Sequence, residues 1–101
     1  MRFEFRADVR RWEVRRDDWY FVDVPLGFSA EIREWADARP RAGFGAVKVR
    51  AGLGATHWST SIFPGADGCY SLVLNARVRR AEGVGYGDEV DVEIEIRLIP
   101  D

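Results

Sequence analysis

Cysteine, histidine and lysine each occur only once in the sequence, as Cys69, His57 and Lys48. A single cysteine excludes an internal disulfide, and a lone histidine on another predicted strand offers no ligand cluster with the spacing of a transition-metal site. The GxSxG, P-loop and HExxH motifs are also missing. We therefore expect no metal, no cofactor and no catalytic residues, and the sequence favours a function other than that of an enzyme.

Long apolar runs are absent as well. No stretch approaches the roughly 20 residues needed to span a bilayer. The opening segment MRFEFRADVRR contains no apolar run that could serve as a signal peptide. We therefore expect a cytoplasmic protein without a membrane partner.

Positive charge is in slight deficit, with 15 Lys and Arg against 17 Asp and Glu and a net charge of −2. Residues 1–50 hold eleven basic and nine acidic residues (+2), and residues 51–101 hold four and eight (−4). Proteins that neutralise phosphates usually show a clear basic excess. The balance counts against a dedicated nucleic-acid-binding protein, and we expect no appreciable binding of duplex DNA.

The length of 101 residues is suited to one domain, residues 1–101, with a single hydrophobic core. The clearest pattern lies near the end of the chain. Even positions from 90 to 98 are apolar and odd positions from 89 to 97 are charged. This alternation predicts a long β-strand with one buried face and one exposed face.

A strand, a short helix and a glycine turn precede that last strand. Tyr70 to Leu74 alternates as a strand, and Asn75 is placed to cap a helix in which Val78 and Ala81 face the core. Gly87-Asp88 then turns the chain. The exposed face of this helix is predicted to carry three arginines, Arg77, Arg79 and Arg80.

The beginning of the chain predicts a redirected strand. Apolar residues occupy odd positions from 3 to 9 and then even positions at Trp12 and Val14. The change of phase near Arg10-Arg11 predicts a bulge that re-aims the strand. A polar turn follows, and Trp19 to Val24 forms an aromatic strand that ends before Pro25.

The middle of the chain predicts a helix and a hairpin. Ser29 is suited to be the N-cap of a helix, which ends near Arg39-Pro40. Gly52-Leu53-Gly54 predicts a hairpin turn into an antiparallel strand from Thr56 to Phe63. The predicted apolar stripe of the helix consists of Ile32, Trp35 and Ala36.

The two halves of the chain share one order of elements: strand, short helix, glycine turn, strand. Tyr20 to Val24 corresponds to Tyr70 to Leu74, Ile32 to Val78, and the Val47 strand to the Val90 strand, with offsets of 50, 46 and 43. Changes in loop length absorb this drift at little cost. The pattern predicts a barrel with pseudo-twofold internal duplication, six or seven strands and two short helices. Because both halves lie on one chain, we expect a monomer.

Several motifs together resemble one protein family. They are THWSTSIFP at residues 56–64, the Tyr70 strand, Val78-Arg79 and the closing Gly87-Asp88, with FVDVP at residues 21–25 in the first half. This combination is similar to the DUF1905 family of bacterial and archaeal domains and covers nearly the whole chain. The resemblance implies a mainly β fold, a small double-split β-barrel, and brings no established activity.

Two positions depart from the family pattern. Ser59 stands where the family usually has a basic residue, and Val73-Leu74-Asn75 replaces a Pro-x-Lys. Any cationic site that the family shares is therefore expected to be weaker here. The second half is also similar to the swapped-hairpin halves of AbrB and MazE type regulators, which bind DNA as dimers, but a shared fold is poor evidence for function.

Five residues form the predicted ligand site: Trp58, Thr60, Ser61, Tyr70 and Arg79. They offer an aromatic surface, hydroxyl groups and one cation, a set suited to a small polar or anionic ligand. We expect them to meet where the Phe63-Pro64 turn approaches the helix that carries Arg79. Structural roles are the alternative, with Trp58 in the core, hydroxyls bonded across strands, and Arg79 paired with Asp88 as a brace.

Three classes of function follow from these observations. A binding module for a small polar or anionic ligand, or for a protein partner, is favoured because no catalytic constellation is present. Nucleic-acid binding or regulation, by analogy with AbrB and MazE type barrels, is the alternative, and an enzyme ranks third.

Overall fold

The computed structural model describes residues 1–13, 18–39 and 45–97. Within these ranges the chain forms seven strands and two helices, which confirms the mainly β class and the predicted number of elements. In chain order they are β1 (Arg2–Asp8), β2 (Arg10–Glu13), β3 (Asp18–Asp23), α1 (Leu26–Asp37), β4 (Val47–Leu53), β5 (Thr56–Pro64), β6 (Tyr70–Val73), α2 (Ala76–Glu82) and β7 (Glu89–Glu95). Neither helix is long and apolar enough to cross a membrane.

The seven strands form one antiparallel sheet in the order β1-β7-β4-β5-β6-β3-β2. β1 and β2 lie at opposite ends of that order, although only Val9 separates them in the chain. The sheet therefore curls into a half-barrel. Val9 is buried, and its N–H donates to the carbonyl of Asp88 at 2.8 Å while its carbonyl accepts from the N–H of Gly87 at 2.9 Å. The chain is thus redirected, but at Val9 and by a break between two strands, where the sequence predicted a bulge near Arg10-Arg11.

The internal duplication is visible in the strand pairing. β3 pairs with its counterpart β6, and β4 pairs with its counterpart β7. The N–H of Val24 donates to the carbonyl of Tyr70, and the N–H of Leu74 donates to the carbonyl of Tyr20, both at 2.8 Å. This reciprocal exchange relates residues 50 positions apart, as the sequence predicts, and defines a pseudo-twofold axis through the sheet.

The core lies on the inner face of the sheet and beneath the buried sides of both helices. β7 contributes its even positions and β4 contributes Val47, Val49, Ala51 and Leu53. Each fully buried aliphatic side chain stabilises the fold by about 1.5–3 kcal/mol. α1 also covers the edge strand, because the ring of Phe28 lies 4.9 Å from that of Phe3 and 6.4 Å from that of Phe5, measured between centroids.

The start of α1 differs from the prediction. The helix begins at Leu26, directly after Pro25, and Ser29 lies buried within its first turn. The Ser29 hydroxyl donates to the carbonyl of Val24 at 2.9 Å and accepts from the N–H of Tyr70 at 3.0 Å. Its assignment as the N-cap was wrong because the hydroxyl serves a tertiary contact between the two halves.

α2 begins as predicted, but the residues that face the sheet differ from the prediction. The side chain of Asn75 caps the helix, since its Oδ1 accepts from the N–H of Val78 at 2.9 Å. Val78 is buried, but Ala81 is exposed and Arg79 is half-buried. The inward position of Ala81 was therefore wrong. Glu82, one turn after Val78, faces the sheet instead and accepts a hydrogen bond from the hydroxyl of Thr56.

The hairpin between β4 and β5 is tighter than predicted. β4 continues through Gly52 and Leu53, which pairs with Thr56, so Gly54-Ala55 forms the turn. Gly54 adopts a φ of 60°, a left-handed conformation that suits glycine. The turn assigned to Gly52-Leu53-Gly54 was therefore wrong. Parts of other predicted segments lie outside the described residues, namely Val14, the polar turn at Arg16-Asp17, Pro40 and Leu98.

Candidate functional site

Two of the five predicted ligand residues belong to the hydrophobic core. Trp58 is 7% exposed and Tyr70 is 3% exposed. Thr60 and Ser61 are half-buried, and as neighbours on β5 they point to opposite faces of the sheet. Trp58 and Tyr70 consequently have little surface with which to contact a ligand, and the two hydroxyls do not converge.

Arg79 lies apart from the other four residues. Its guanidinium carbon is 3.9 Å from the ring centroid of Tyr20, which lies at the opposite end of the β3–β6 pair from Tyr70, roughly 13 Å along the strand. The turn after β5 approaches α1 instead, where Arg33 donates to the carbonyl of Gly68 at 3.1 Å. The predicted approach of this turn to α2 was wrong, because α2 follows the far end of β6.

The predicted brace between Arg79 and Asp88 is not formed. The Nε of Arg79 donates to the carbonyl of Leu74 at 3.1 Å, which ties α2 to the end of β6. Asp88 accepts from the N–H of Gly85 at 2.8 Å and so stabilises its own turn. Each side chain is engaged separately, and the expected ion pair between them was wrong.

Cys69 and His57 do not form a catalytic pair. The carbonyl of Cys69 accepts from the N–H of Gly65, just beyond the end of β5, whereas His57 lies near the start of that strand, more than about 20 Å away along it. Burial raises the pKa of the Cys69 thiol, and the carboxylates of Asp67 and Asp23 raise it further. The thiol is therefore protonated at neutral pH and is a weak nucleophile.

An open groove of about 490 Å³ crosses the outer face of the sheet. Its volume lies within the range of about 300–1,000 Å³ typical of ligand sites. The strand register places Glu4 opposite Glu93, Glu93 opposite Gly52, and Gly52 opposite His57, so one row of residues crosses four strands. The lining residues are Glu4, Phe5, Arg6, Gly52, Gly54, His57, Asp91, Val92 and Glu93.

Gly52 makes room for the side chain of His57 in the groove. A Cβ atom at this position would lie 2.9 Å from Cδ2 of His57 and 3.7 Å from Cβ of Glu93. The imidazole of His57 therefore lies over the Gly52 backbone, and any larger residue there would displace it. The sequence missed this role of Gly52 because its glycine-rich surroundings predicted a turn.

Two arginines of β1 contact the carboxylates of the groove. Arg6 donates from Nε to Oδ1 of Asp91 at 2.9 Å, and Arg2 donates to Oε2 of Glu93 at 2.7 Å and to Oε1 of Glu4 at 3.2 Å. The hydrogen bond from Arg6, together with its charge, lowers the pKa of Asp91. In the described part of the chain, the second oxygen of each of these three carboxylates accepts no hydrogen bond.

The groove is acidic. Its lining contains three carboxylates (Glu4, Asp91 and Glu93) and one guanidinium (Arg6), so the charge is −3 + 1 = −2. Arg2 at the rim reduces the excess without removing it. Across residues 1–13, 18–39 and 45–97, no three His, Cys, Asp or Glu side chains are arranged to hold a metal ion. The arrangement suits an organic cation with several N–H donors.

Comparison with known proteins identifies the family. No curated protein matches the sequence. The model of the DUF1905 family, described as a domain of unknown function, matches residues 5–94. The match contains both helices and nearly every strand residue of the half-barrel. The resemblance carried by THWSTSIFP and Gly87-Asp88 is thereby confirmed over most of the sequence, and the chain belongs to the DUF1905 family.

Proposed function

We propose that this domain is a binding module and that the groove over Gly52 binds a positively charged group, a primary amine or a guanidinium, of a small molecule or peptide. The observation that carries the proposal is a concave site in which three carboxylates each keep one oxygen free. The sequence predicted a small polar or anionic ligand or a protein partner, and the acidic groove favours a cation over an anion. The module acts as a single domain and as a monomer, since the paired halves share one chain. Its proposed location is the cytoplasm.

The negative charge of the groove suits the cationic end of an alkylamine. The cationic end approaches Glu93 and Asp91, where it forms charge-assisted hydrogen bonds that solvent and salt weaken. Phe5 and Val92 lie behind this surface and pack toward the core, so the groove offers a ligand mainly polar side chains. The imidazole of His57 covers Gly52, so the ligand would contact the ring of His57 at this point of the groove. Because Glu4 and Asp91 are exposed and Glu93 is only half-buried, we expect moderate affinity.

The test is a titration of the isotope-labelled protein with putrescine, a diamine, followed by NMR. The neutral control ligand is 1,4-butanediol, which has the same carbon chain and no charge. We expect putrescine alone to shift the signals of Gly52, His57 and Glu93. Shifts of equal size with both compounds, or none with putrescine, would contradict the proposal.

Two variants on one strand locate the binding. Glu93→Gln removes a carboxylate that lines the groove, whereas Glu95→Gln removes one that lies two positions along β7, outside the groove. We expect Glu93→Gln to weaken putrescine binding about tenfold, the equivalent of 1.4 kcal/mol, and Glu95→Gln to leave it within twofold. Equal losses in the two variants would indicate only general attraction to an acidic surface.

A further inference from the structure

Arg33 on α1 and Arg79 on α2 are related by the internal duplication, at the helix offset of 46. Each guanidinium lies over a tyrosine of the other half. The guanidinium carbon of Arg79 is 3.9 Å from the ring centroid of Tyr20, and that of Arg33 is 5.8 Å from the ring centroid of Tyr70. The two arginines therefore occupy equivalent positions at opposite ends of the β3–β6 pair.

The two arginines differ in the nitrogen atoms that remain free. Arg33 donates from the terminal Nη2 to the carbonyl of Gly68 at 3.1 Å. Arg79 donates from the inner Nε to the carbonyl of Leu74 at 3.1 Å. Within the described residues, both terminal nitrogens of Arg79 lack a hydrogen-bond acceptor and the guanidinium has no carboxylate partner. The forked end of Arg79 is thus open.

The structural task of Arg79 does not require a cation. The carbonyl of Leu74, which Arg79 satisfies, corresponds to the carbonyl of Val24 in the first half. The carbonyl of Val24 accepts its hydrogen bond from a neutral group, the hydroxyl of Ser29, at 2.9 Å. The half-buried guanidinium of Arg79 loses part of its hydration, and no carboxylate among the described residues compensates for this free-energy cost. A ligand anion would offset it.

The surroundings of Arg79 favour an anion. Arg77 and Arg80 on the same helix are exposed and, among the described residues, pair with no carboxylate. The one acidic residue of α2, Glu82, is engaged by the hydroxyl of Thr56. α2 therefore carries three positive charges and one negative charge. Tyr20 holds the guanidinium plane of Arg79 in place, which reduces the entropy lost when two oxygens bind its fork.

We propose that the open fork of Arg79 binds a small soluble phosphate, either the free ion or a monoester, through two parallel hydrogen bonds from Nη1 and Nη2. The two terminal N–H groups of a planar guanidinium match the spacing of two oxygens of a phosphate. Tyr20 lies on the inner face of the sheet with Val22 and Val24, so this site is separate from the groove over Gly52.

The test is a titration with inorganic phosphate at constant ionic strength, measured by calorimetry and by the Nε–H signal of Arg79 in NMR. The wild-type protein should bind with a Kd of about 1 mM or tighter. Arg79→Gln should weaken binding at least about tenfold. Two matched controls, Arg33→Gln at the equivalent position and Arg80→Gln on the same helix, should stay within about threefold of the wild type.

A second variant and a second ligand test the proposal even if Arg79→Gln does not fold. Arg79→Lys retains the charge and removes the planar fork, so it should also lose most of the binding. Phenyl phosphate tests the source of the group: tighter binding than that of inorganic phosphate indicates a monoester, and equal binding indicates the free ion. Full binding by Arg79→Lys, an equal loss in Arg80→Gln, or an unmoved Nε–H signal in the wild type would overturn the proposal.

Discussion

The hydroxyl of Ser29 accepts a hydrogen bond from the N–H of Tyr70 at 3.0 Å in the interior of the protein. The same hydroxyl donates to the carbonyl of Val24 at 2.9 Å. One small side chain on α1 therefore satisfies two buried backbone groups, one just after the end of β3 and one at the start of β6. It holds the helix of the first half against the first strand of the second half.

Replacing Ser29 with alanine is expected to destabilise the protein by about 2–4 kcal/mol, because both backbone groups lose their partner in a buried site. Chemical denaturation with constant m-value measures the change. The matched control is Ser59→Ala on an exposed position of β5, where we expect a change within about 0.5 kcal/mol. Similar effects of the two substitutions would show that the buried link is energetically unimportant.

Gly52→Ala is expected to displace the imidazole of His57, because the new Cβ would lie 2.9 Å from its Cδ2. We expect the ring signals of His57 to shift in NMR with little change in stability, because the exposed imidazole can move away from the new methyl group. Gly85→Ala is the control, since a Cβ there meets nothing within 4 Å. Unchanged His57 signals in Gly52→Ala would contradict the described contact.

The pair of Arg6 and Asp91 predicts a measurable pH dependence. Because the hydrogen bond and charge of Arg6 lower the pKa of Asp91, this carboxylate favours the folded state above its unfolded pKa of about 3.9. That contribution is lost as the pH falls through the lowered value. A carboxyl titration by NMR should show the pKa of Asp91 rising in Arg6→Met. Arg2→Met is the control and should leave Asp91 unchanged, since Arg2 contacts Glu93 and Glu4.

Duplex DNA is expected to bind weakly or not at all at physiological salt. The net charge is −2, and the exposed row of β7 consists of acidic residues. Arg2 and Arg6 neutralise part of this row, so the net charge is the firmer basis for the prediction. Fluorescence anisotropy across several salt concentrations tests it. Micromolar affinity with a steep salt slope would contradict it.

Most of the fold could be predicted from local sequence patterns. The alternation from Glu89 to Ile96 specifies a strand with one buried face, and Asn75 and Gly83 mark the two ends of α2. The correspondence between Tyr20 and Tyr70 predicted the duplication that the reciprocal hydrogen bonds confirm. These predictions were correct because each depends only on residues within one element or on the corresponding element of the other half.

The candidate site could not be predicted in the same way. The groove depends on Glu4, Glu93, Gly52 and His57 meeting in one row, which requires the register of four strands from distant parts of the chain. The alternating charges of β1 were a usable signal, because arginines there match the acidic row of β7. No local pattern states, however, that these two strands are neighbours. The assignment of Ser29 as the N-cap failed for a related reason, since its hydrogen-bond partner Tyr70 is 41 positions away.

The pairing of β1 with β7 also bears on how the protein folds. It joins residues 81 positions apart at Asp8 and Glu89 and 93 positions apart at Arg2 and Glu95, whereas β4 and β5 are joined by a two-residue turn. Closing so long a loop carries an entropic penalty that local hairpins avoid, so we expect the β4–β5 hairpin to form early and β1 to dock late. Because β1 and β7 both line the groove, a ligand there would recognise only the fully closed chain and would slow its unfolding.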